Sequence, residues 1–470
     1  MEIRRFYLGC LAHASYLVEN NGEAAVIDPQ RDVDLYIDEA RNSGLNLRWV
    51  IETHLHADFV SGHLELARRT GATICIGAGS GAAFPHRALN DGDELPLGRG
   101  VLRILSTPGH TEEGVSILAI PAETPNNPLA VFTGDTLFIG DVGRPDLSPT
   151  RTPQQLAAML YDSLRLKLMT LPEATLVYPA HGAGSLCGRQ MSSESSSTIG
   201  KERRMNYALQ PMTREQFVDL LTADLPARPA YFQDEVQRNR SGAAPLDELP
   251  PLRELAPSAA LDLQSTGVVI LDTRPTMEFA AVHIPGSLHI PLNGQFASWA
   301  ARLLGIEGVS IVLLAEDAAT TQESRLRLAR VGIENVAGVI AGGIYGWIDA
   351  DLPVKSVSQI SAQELAEQLR SPASPITLAS PFTLIDVRER AERLAGSIPG
   401  SLSIPLPELS RRLNEIDPAA TVFVHCKSGY RSAIATSILQ AAGFDSVVNL
   451  TGGYDAWALT FPPRINEVVA

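Results

Sequence analysis

The chain has 470 residues, of which 45% are hydrophobic and 19% charged, and its formal net charge is −15 at pH 7. Such a length predicts two to four domains, and the acidic charge argues against nucleic acid or an anionic membrane surface as a partner. No apolar run has membrane-spanning length, no secretion signal is recognisable, and four scattered cysteines predict a reducing, cytoplasmic location.

Up to about residue 190, the pattern predicts short apolar strands that alternate with helices. The strands are expected at residues 24–29, 49–52, 73–76, 101–106, 115–120, 130–133 and 176–178. The helices are expected at residues 33–42, 61–70 and 153–171. This alternation indicates layered α/β packing.

A serine-rich loop at residues 192–197, irregular helices over 199–240 and a linker at 241–251 follow. The remainder is an internal repeat. Its paired motifs are Asp272-Thr273-Arg274 with Asp386-Val387-Arg388, Ile284-Pro285-Gly286-Ser287 with Ile398-Pro399-Gly400-Ser401, and Gly342-Gly343 with Gly452-Gly453. We therefore predict three domains, at residues 1–245, 246–355 and 356–470, with a Pro/Ser loop at 371–381 inside the last.

Metal-binding residue types follow four of the predicted strands. In chain order, the residues are His54, His56 and Asp58 after the second strand, then His110, Asp135 and His181 after later strands. Imidazole nitrogens and carboxylate oxygens suit zinc or ferrous iron. The alternative, that these are hydrogen-bonded core or turn residues, explains the repeated placement less well.

These motifs resemble the metallo-β-lactamase superfamily, specifically its glyoxalase II and persulfide dioxygenase branches, over roughly residues 1–240. The resemblance implies an αββα sandwich. Hydrolases of that fold carry two metals, and the second needs a histidine where this chain has Phe59. What remains is compatible with one Fe(II) per chain, held by His54, His110 and Asp135, with open positions for substrate and dioxygen.

The same resemblance implies roles for residues around the metal. Three of them would orient the ligands or move protons: His56, Asp58 and His181. Arg144 either meets a carboxylate of the thiol carrier or forms a structural ion pair. Cys187, in a glycine-rich loop after His181, is either a sulfur-relay thiol, as in dioxygenase–rhodanese fusions, or an ordinary loop thiol.

Cys426 ends an apolar strand and precedes a helix predicted at residues 433–442. Loop amides and the helix amino end should face its sulfur and favour the thiolate, and Lys427 and Arg431 add positive charge. The Cys-x-x-x-x-Arg spacing and the repeated motifs resemble the rhodaneses. This resemblance implies that Cys426 is the nucleophile and that Lys427 and Arg431 stabilise a bound anion. The alternative is a buried structural cysteine.

The first copy of the repeat lacks these features. Alignment places Ala315 opposite Cys426 and Thr320 opposite Arg431, with Glu316 and Asp317 in the loop between them. Without a nucleophile and with the charge reversed, this copy should be a spacer or an assembly surface.

The order of the three domains resembles bacterial persulfide dioxygenase–sulfurtransferase fusions. The resemblance implies oxidation of glutathione, coenzyme A or similar persulfides by O₂ to sulfite, and sulfur transfer that gives thiosulfate, in sulfide detoxification. It also implies a homodimer or homotetramer. Two alternatives stay open: a glyoxalase II-like thioester hydrolase with two metals, and a non-catalytic persulfide carrier that needs only Cys426.

Overall fold

The chain folds as two units, and the computed structural model describes residues 1–223, 225, 227–370 and 382–462. Unit 1 comprises Met1–Pro250, Gly305–Glu307 and Leu326–Glu334. Unit 2 comprises Pro251–Leu304, Gly308–Arg325 and Asn335–Ala470. The Pro/Ser loop predicted at residues 371–381 lies outside the described residues.

Unit 1 contains two six-stranded sheets. The strands of the first lie side by side in chain order: β1 (Glu2–Leu8), β2 (His13–Asn20), β3 (Glu23–Ile27), β4 (Asn46–Glu52), β5 (Thr73–Gly77) and β6 (Arg87–Leu89). Those of the second also lie in chain order: β7 (Glu94–Leu97), β8 (Gly100–Ser106), β9 (Val115–Ile120), β10 (Ala130–Gly134), β11 (Leu176–Pro179) and β12 (Ser197–Thr198).

The helices of unit 1 cover the sheets and continue into the region that follows them. They are α1 (Asp34–Asn42), α2 (His63–Thr70), α3 (Pro153–Leu166), α4 (Ile199–Met205), α5 (Arg214–Thr222) and α6 (Phe232–Ser241). Helix α3 begins with a capping box between Thr152 and Gln155 and ends earlier than predicted, because a 3₁₀ turn at Leu168–Thr170 replaces its last turn.

Three apolar layers hold unit 1 together. Between the sheets pack Tyr16, Ile27 and Ile51 of the first and Leu102, Ile117 and Phe132 of the second. Alternate residues of the same strands point outward, where Val26 and Val50 meet Tyr36 of α1 and Leu66 of α2. On the other side, Val131 and Val177 meet Leu160 of α3 and Phe217 of α5. The predicted αββα sandwich is confirmed.

Strands β1, β2, β6, β7 and β12 were not predicted. Strand β2 is almost entirely buried yet carries His13 and Ser15, which interrupt its apolar pattern. Both side chains have internal partners: His13 Nε2 lies 2.9 Å from the main-chain oxygen of Asp28, and Ser15 Oγ lies 2.5 Å from Tyr36 Oη. Hydrogen bonds of this kind allow polar residues to be buried. The polar residues interrupt the apolar pattern, so the pattern does not predict this strand.

Unit 2 contains two parallel five-stranded sheets with the same strand order. In spatial order, the first consists of β13 (Glu254–Leu255), β17 (Val336–Ile340), β16 (Ile311–Leu314), β14 (Val269–Asp272) and β15 (Leu288–His289). The second consists of β18 (Ser358–Ile360), β22 (Val447–Leu450), β21 (Thr421–His425), β19 (Phe382–Asp386) and β20 (Leu402–Ser403). The identical order confirms that the repeat is one fold used twice.

The helices of this part of the chain are α7 (Pro257–Ser265), α8 (Thr276–Ala281), α9 (Phe296–Leu304), α10 (Ala318–Arg330), α11 (Gly343–Asp349), α12 (Ala362–Arg370), α13 (Arg390–Leu394), α14 (Tyr430–Ala441) and α15 (Gly453–Thr460). Among the helices that the structure describes in the whole chain, none combines the length and the apolar character needed to cross a bilayer.

The repeated Asp-x-Arg motif is a buried ion pair in each copy. Arg274 Nη2 donates to Asp272 Oδ2 at 2.6 Å, and Arg388 Nη2 donates to Asp386 Oδ2 at 2.7 Å. In both pairs Nε adds a second bond to the same carboxylate. Two parallel charge-assisted bonds fix the turn after the strand, which explains why the motif recurs.

Candidate metal centre and cysteine loop

Polar residues that follow strands of both sheets meet in one buried cluster of unit 1. His54 lies on the loop after β4, His110 lies between β8 and β9, and Asp135 directly follows β10. Each offers one ligand atom, and these atoms all lie within 4.8 Å of one another. The structure thus brings together the three residues predicted to bind the metal.

The hydrogen bonds of the two imidazoles fix which nitrogen carries a proton. His110 Nδ1 lies 2.9 Å from the main-chain oxygen of Arg144, which can only accept, so Nδ1 donates. Thr53 Oγ1 gives its proton to Asp28 Oδ2 at 2.9 Å, so His54 Nδ1 donates to Thr53 Oγ1 at 3.0 Å. Both Nε2 atoms are therefore left with a free electron pair.

These two electron pairs face a carboxylate. His54 Nε2 lies 3.8 Å and His110 Nε2 lies 3.3 Å from Asp135 Oδ2, which has no hydrogen-bond partner among the described residues. Burial lowers the pKa of both histidines, so neither ring supplies a positive charge. Three electron-pair donors that converge without a proton between them fit a divalent cation, and the donor types suit zinc or ferrous iron.

His181 and Asp58 lie behind the carboxylate ligand. His181 Nδ1 donates to Asp135 Oδ1 at 2.8 Å, and its Nε2 lies 3.0 Å from Asp58 Oδ2. Although burial opposes the shift, the carboxylates of Asp135 and Asp58 raise the pKa of His181 well above its ordinary value. The hydrogen bond from His181 leaves Asp135 Oδ2 directed at the imidazoles, as expected of a residue that orients a ligand.

His56 belongs to a separate ion-pair cluster. Its Nε2 lies 3.2 Å from Asp28 Oδ1 and 3.4 Å from Glu52 Oε2. Although burial alone lowers it, these carboxylates raise the pKa of His56 to about 10, so the ring is an imidazolium. Sequence analysis missed Asp28 and Glu52, although both stand at strand ends, the signal that identified the metal ligands.

Phe59 fills the space beside His56. Its side chain is buried, and its ring centroid lies 4.4 Å from that of His56 and 4.1 Å from that of His13. The phenyl ring offers no electron pair to a metal at the position where a second histidine ligand was considered. A charged His56 and an apolar side chain thus lie side by side at this position.

Asn239 of α6 holds the loop that carries these residues. Its Nδ2 donates to the main-chain oxygens of His56 and Phe59, both at 2.8 Å, and its Oδ1 accepts from the main-chain nitrogen of Ser61 at 2.9 Å. Both donors and the acceptor of one buried amide therefore bond three residues of the six-residue stretch 56–61. No signal in the sequence indicates this contact, because it depends on where α6 packs.

Glu235 is a buried carboxyl on the same helix. Neither of its oxygens has a hydrogen-bond partner among the described residues. Burial raises the pKa of Glu235 well above its ordinary value, and the charge of Asp58 adds to the shift. Burial therefore favours the neutral, protonated form of this side chain.

Arg144 and Cys187 lie close to this cluster. Arg144 forms a two-bond ion pair with Asp146, at 2.6 and 2.8 Å, which is the structural alternative considered for it. Cys187 lies within 4.8 Å of ligand atoms of Asp58 and His181, and burial raises the pKa of its thiol well above the usual value. The carrier-binding and relay roles of these two residues stay predictions.

The cysteine loop of unit 2 joins β21 to α14. Cys426 directly follows the strand, and the helix begins at Tyr430, three residues earlier than the predicted start at 433. The main-chain nitrogen of Gly429 donates to Cys426 Sγ at 3.1 Å. The loop therefore directs an amide at the sulfur, as the strand–loop–helix pattern predicted.

The Gly-Gly motif at the start of α15 holds this loop from behind. The main-chain nitrogens of Tyr454 and Asp455 donate to the oxygens of Cys426 and Lys427 at 2.7 and 2.9 Å. A Cβ atom on Gly453 would lie 2.5 Å from the oxygen of Cys426, and the φ of Gly453 is +59°. Only glycine allows this approach.

Arg431 is already engaged. Its two terminal nitrogens donate to the carboxylate of Glu392 at 2.6 and 2.7 Å, whereas Lys427 is exposed. Although burial opposes the shift, Arg431 holds the pKa of Glu392 below its ordinary value. If Arg431 stabilises a bound anion as predicted, it must do so while it is paired with Glu392. The sequence analysis did not predict this ion pair.

The corresponding loop of the first copy lacks the sulfur and its charge environment. Ala315 follows β16, and Asp317 Oδ1 accepts from the main-chain nitrogen of Thr320 at 2.7 Å. In the first copy, the Asp317 carboxylate caps helix α10. At the equivalent loop of the second copy, the main-chain amide of Gly429 donates to the Cys426 sulfur. The absence of sulfur chemistry in the first copy stays a prediction.

Two different protein families match the two parts of the chain. The family model of the metallo-beta-lactamase superfamily matches residues 8–181, and that of the rhodanese-like domain matches residues 256–350 and 361–460. A probable metallo-hydrolase of Burkholderia pseudomallei (strain 1710b) is 32% identical over 53% of this chain and 95% of its own length. The mitochondrial persulfide dioxygenase ETHE1 of Bos taurus is 34% identical over 42% of this chain and 71% of its own length. The crystal structure of a metallo-beta-lactamase from Staphylococcus aureus subsp. aureus COL covers 72% of this chain and 98% of its own, with a TM-score of 0.65 and 29% identity.

Replacing Asn239 with aspartate should disorder the metal-ligand loop. The variant Asn239→Asp loses both donors and places a carboxylate against two buried carbonyl oxygens, at a cost of about 2–4 kcal/mol. We expect the affinity for Fe(II) or Zn²⁺ to fall at least about tenfold, measured by competition with a chelator. Gln237→Glu, an exposed amide-to-acid change on the same helix, is the control. Unchanged metal affinity in Asn239→Asp would contradict the assignment.

Glu235 should make the protein less stable as pH rises. An unfolded glutamate releases its proton above about pH 4.3, whereas the folded side chain keeps it, so unfolding becomes more favourable with increasing pH above that value. Glu235→Gln removes the effect. We expect its melting temperature to exceed that of the wild type at pH 8, with a difference that shrinks towards pH 5. The exposed Asp234→Asn should show no such trend, and an equal trend in both variants would refute the assignment.

Proposed function

Since the chain belongs to the metallo-β-lactamase superfamily and carries two rhodanese-like domains, we propose that it oxidises low-molecular-weight persulfides with dioxygen at one Fe(II) and transfers sulfur at Cys426. The observation that carries the proposal is the donor set of unit 1, in which His54, His110 and Asp135 converge beside a protonated His56. Three ligands on one face leave positions for a sulfur anion and for O₂. The similarity to a persulfide dioxygenase supports the same chemistry.

Fe(II) held by these three residues would supply the redox chemistry that joins dioxygen to sulfur. The reaction R–S–SH + O₂ + H₂O → R–SH + SO₃²⁻ + 2 H⁺ balances, because the outer sulfur loses four electrons and O₂ gains four. Two neutral imidazoles and one carboxylate offset only one of the two charges of a divalent ion. The ligands therefore leave the site attractive to a persulfide anion.

His181 and Asp58 hold a proton next to the ligands. The 3.0 Å approach of His181 Nε2 to Asp58 Oδ2 places this proton between an imidazole and a carboxylate. We assign the pair to keeping Asp135 in its ligand orientation and to supplying a proton to the thiolate that the reaction releases. The burial of both side chains excludes bulk water from that exchange.

Sulfur transfer takes place at Cys426. Its thiolate attacks the outer sulfur of R–S–SH, the S–S bond breaks, and the thiol leaves. Sulfite then attacks the outer sulfur of the Cys426 persulfide, and thiosulfate leaves as the electron pair returns to Sγ. The Gly429 amide at 3.1 Å stabilises the anionic sulfur, and the exposed Lys427 adds positive charge for the incoming anion.

Joining the two activities has a chemical reason. Sulfite, the product at the metal, is the acceptor at Cys426, and a covalent connection raises the effective concentration of each activity near the other. The combined result is conversion of persulfide and O₂ into thiosulfate, which suits sulfide detoxification in a reducing cytoplasm.

A thioester hydrolase is the second candidate. Ligand atoms of Asp58, His181 and Cys187 lie within 4.8 Å of one another, and one relative is described as a probable metallo-hydrolase. A second ion at this cluster would require His181 to give up its proton.

A persulfide carrier that needs only Cys426 would function equally well after His54→Ala.

Two variants should separate the activities. Cys426→Ser removes the nucleophile but leaves unit 1 intact, so it should consume O₂ and release sulfite from glutathione persulfide at wild-type rate, without thiosulfate. His54→Ala should lose O₂ uptake and still transfer sulfur from thiosulfate to cyanide. An oxygen electrode measures O₂ uptake, and ion chromatography measures the sulfur products. Equal loss of the two activities in either variant would count against separate sites, and no O₂ uptake by the iron-loaded wild type would refute the dioxygenase.

A glycine pair in the two copies tests the cysteine loop. Gly453→Ala places a Cβ atom 2.5 Å from the oxygen of Cys426, so sulfur transfer from thiosulfate to cyanide should fall more than about tenfold. Gly343→Ala is the matched control, because its φ is +58° and its Cβ would lie 3.4 Å from the nearest atom, the oxygen of Ala315. It should keep sulfur transfer while losing about 1 kcal/mol of stability. Full activity in Gly453→Ala would contradict the role of the Gly-Gly motif.

A further inference from the structure

Unit 1 contains a cavity of about 220 Å³ between α6 and two loops of the metal domain. Ala57, which stands between two residues of the metal-ligand loop, forms part of its wall. Phe232 and Val236 of α6 line one side, and Leu147 and Pro149 line another. The cavity thus offers apolar surface directly beside the metal-ligand loop.

Two arginines give the cavity a positive charge. Arg228 Nη1 donates to the main-chain oxygen of Asp146 at 3.2 Å. Arg240 donates to the main-chain oxygen of Ser80 at 3.1 Å and to Gln237 Oε1 at 3.3 Å. All these acceptors are uncharged, and within the described parts of the chain neither guanidinium forms an ion pair with a carboxylate. Two uncompensated cations at one cavity of a chain with net charge −15 create a local site for an anion.

We propose that this cavity binds the carrier part of the persulfide and that Arg228 and Arg240 select carriers that bear carboxylate or phosphate groups. The inference rests on the proposed function, because a persulfide places its sulfur at the metal and its carrier beside it. The apolar wall suits the methylene chain that links the sulfur of a thiol carrier to its charged groups.

Helix α6 connects the cavity with the metal-ligand loop. Glu235 and Asn239, four residues apart, share the face that meets the loop. Val236 and Arg240, also four residues apart, share the next face and line the cavity. One rigid helix therefore fixes the position of the metal-ligand loop and forms one wall of the carrier site.

The guanidinium previously considered for the carrier is less suited to this role. Arg144 spends two nitrogens on Asp146, and its side chain is buried. Arg228 and Arg240 are only partly buried and meet no opposite charge within the described residues. An incoming anion can therefore bind them without first breaking an ion pair.

Calorimetric binding of three thiols to the full-length protein tests the proposal. The probes are glutathione with carboxylates, coenzyme A with phosphates, and N-acetylcysteamine without charge. We expect Arg228→Gln and Arg240→Gln each to weaken binding of an anionic thiol about tenfold and to leave N-acetylcysteamine unchanged. Loss confined to glutathione identifies a carboxylate carrier, and loss confined to coenzyme A identifies a phosphate carrier. Arg41→Gln, which removes an exposed charge on α1, is the control and should match the wild type.

Several outcomes would overturn the inference. These are unchanged binding of both anionic thiols in both variants, equal loss for the uncharged thiol, or equal loss in Arg41→Gln. Melting temperatures show whether Arg240→Gln loosens α6, and Arg228→Gln tests the cavity without touching that helix. O₂ uptake with the corresponding persulfides separates this inference from the function: thiol binding that depends on the arginines but without O₂ uptake would leave the cavity site standing and refute the dioxygenase.

Discussion

The metal domain depends on one electrostatic constraint, the convergence of His54 Nε2, His110 Nε2 and Asp135 Oδ2 in a buried space. Thr53 and the main-chain oxygen of Arg144 fix the tautomers, and His181 fixes the carboxylate. Without a cation, three electron pairs would face each other with no proton between them. The surrounding hydrogen bonds therefore stabilise an arrangement that only a positive ion completes.

A charged histidine and an aromatic ring lie beside this site. His56 carries a proton because Asp28 and Glu52 surround it, and Phe59 packs on its ring. A metal ion would have to displace this proton before His56 could bind it.

Strand-end rules and the internal repeat predicted layered α/β packing, the repeated modules and the candidate metal-binding residues. The resemblance to the metallo-β-lactamase superfamily was needed to predict the sandwich and to choose three ligands among those candidates. The same rules extend to Asp28 and Glu52. They fail for Asn239, Arg228 and Arg240, because these act from a helical region whose packing no local pattern determines. They also fail for the Arg431 ion pair, since Glu392 lies on α13, which is 39 residues away in the sequence.

The number of metal ions bound per chain distinguishes a mononuclear from a dinuclear site. Full-length protein saturated anaerobically with Fe(II), then freed of unbound ion, should contain one iron per chain, and His56→Ala should still contain one. Two ions per chain in the wild type would contradict the proposed mononuclear site.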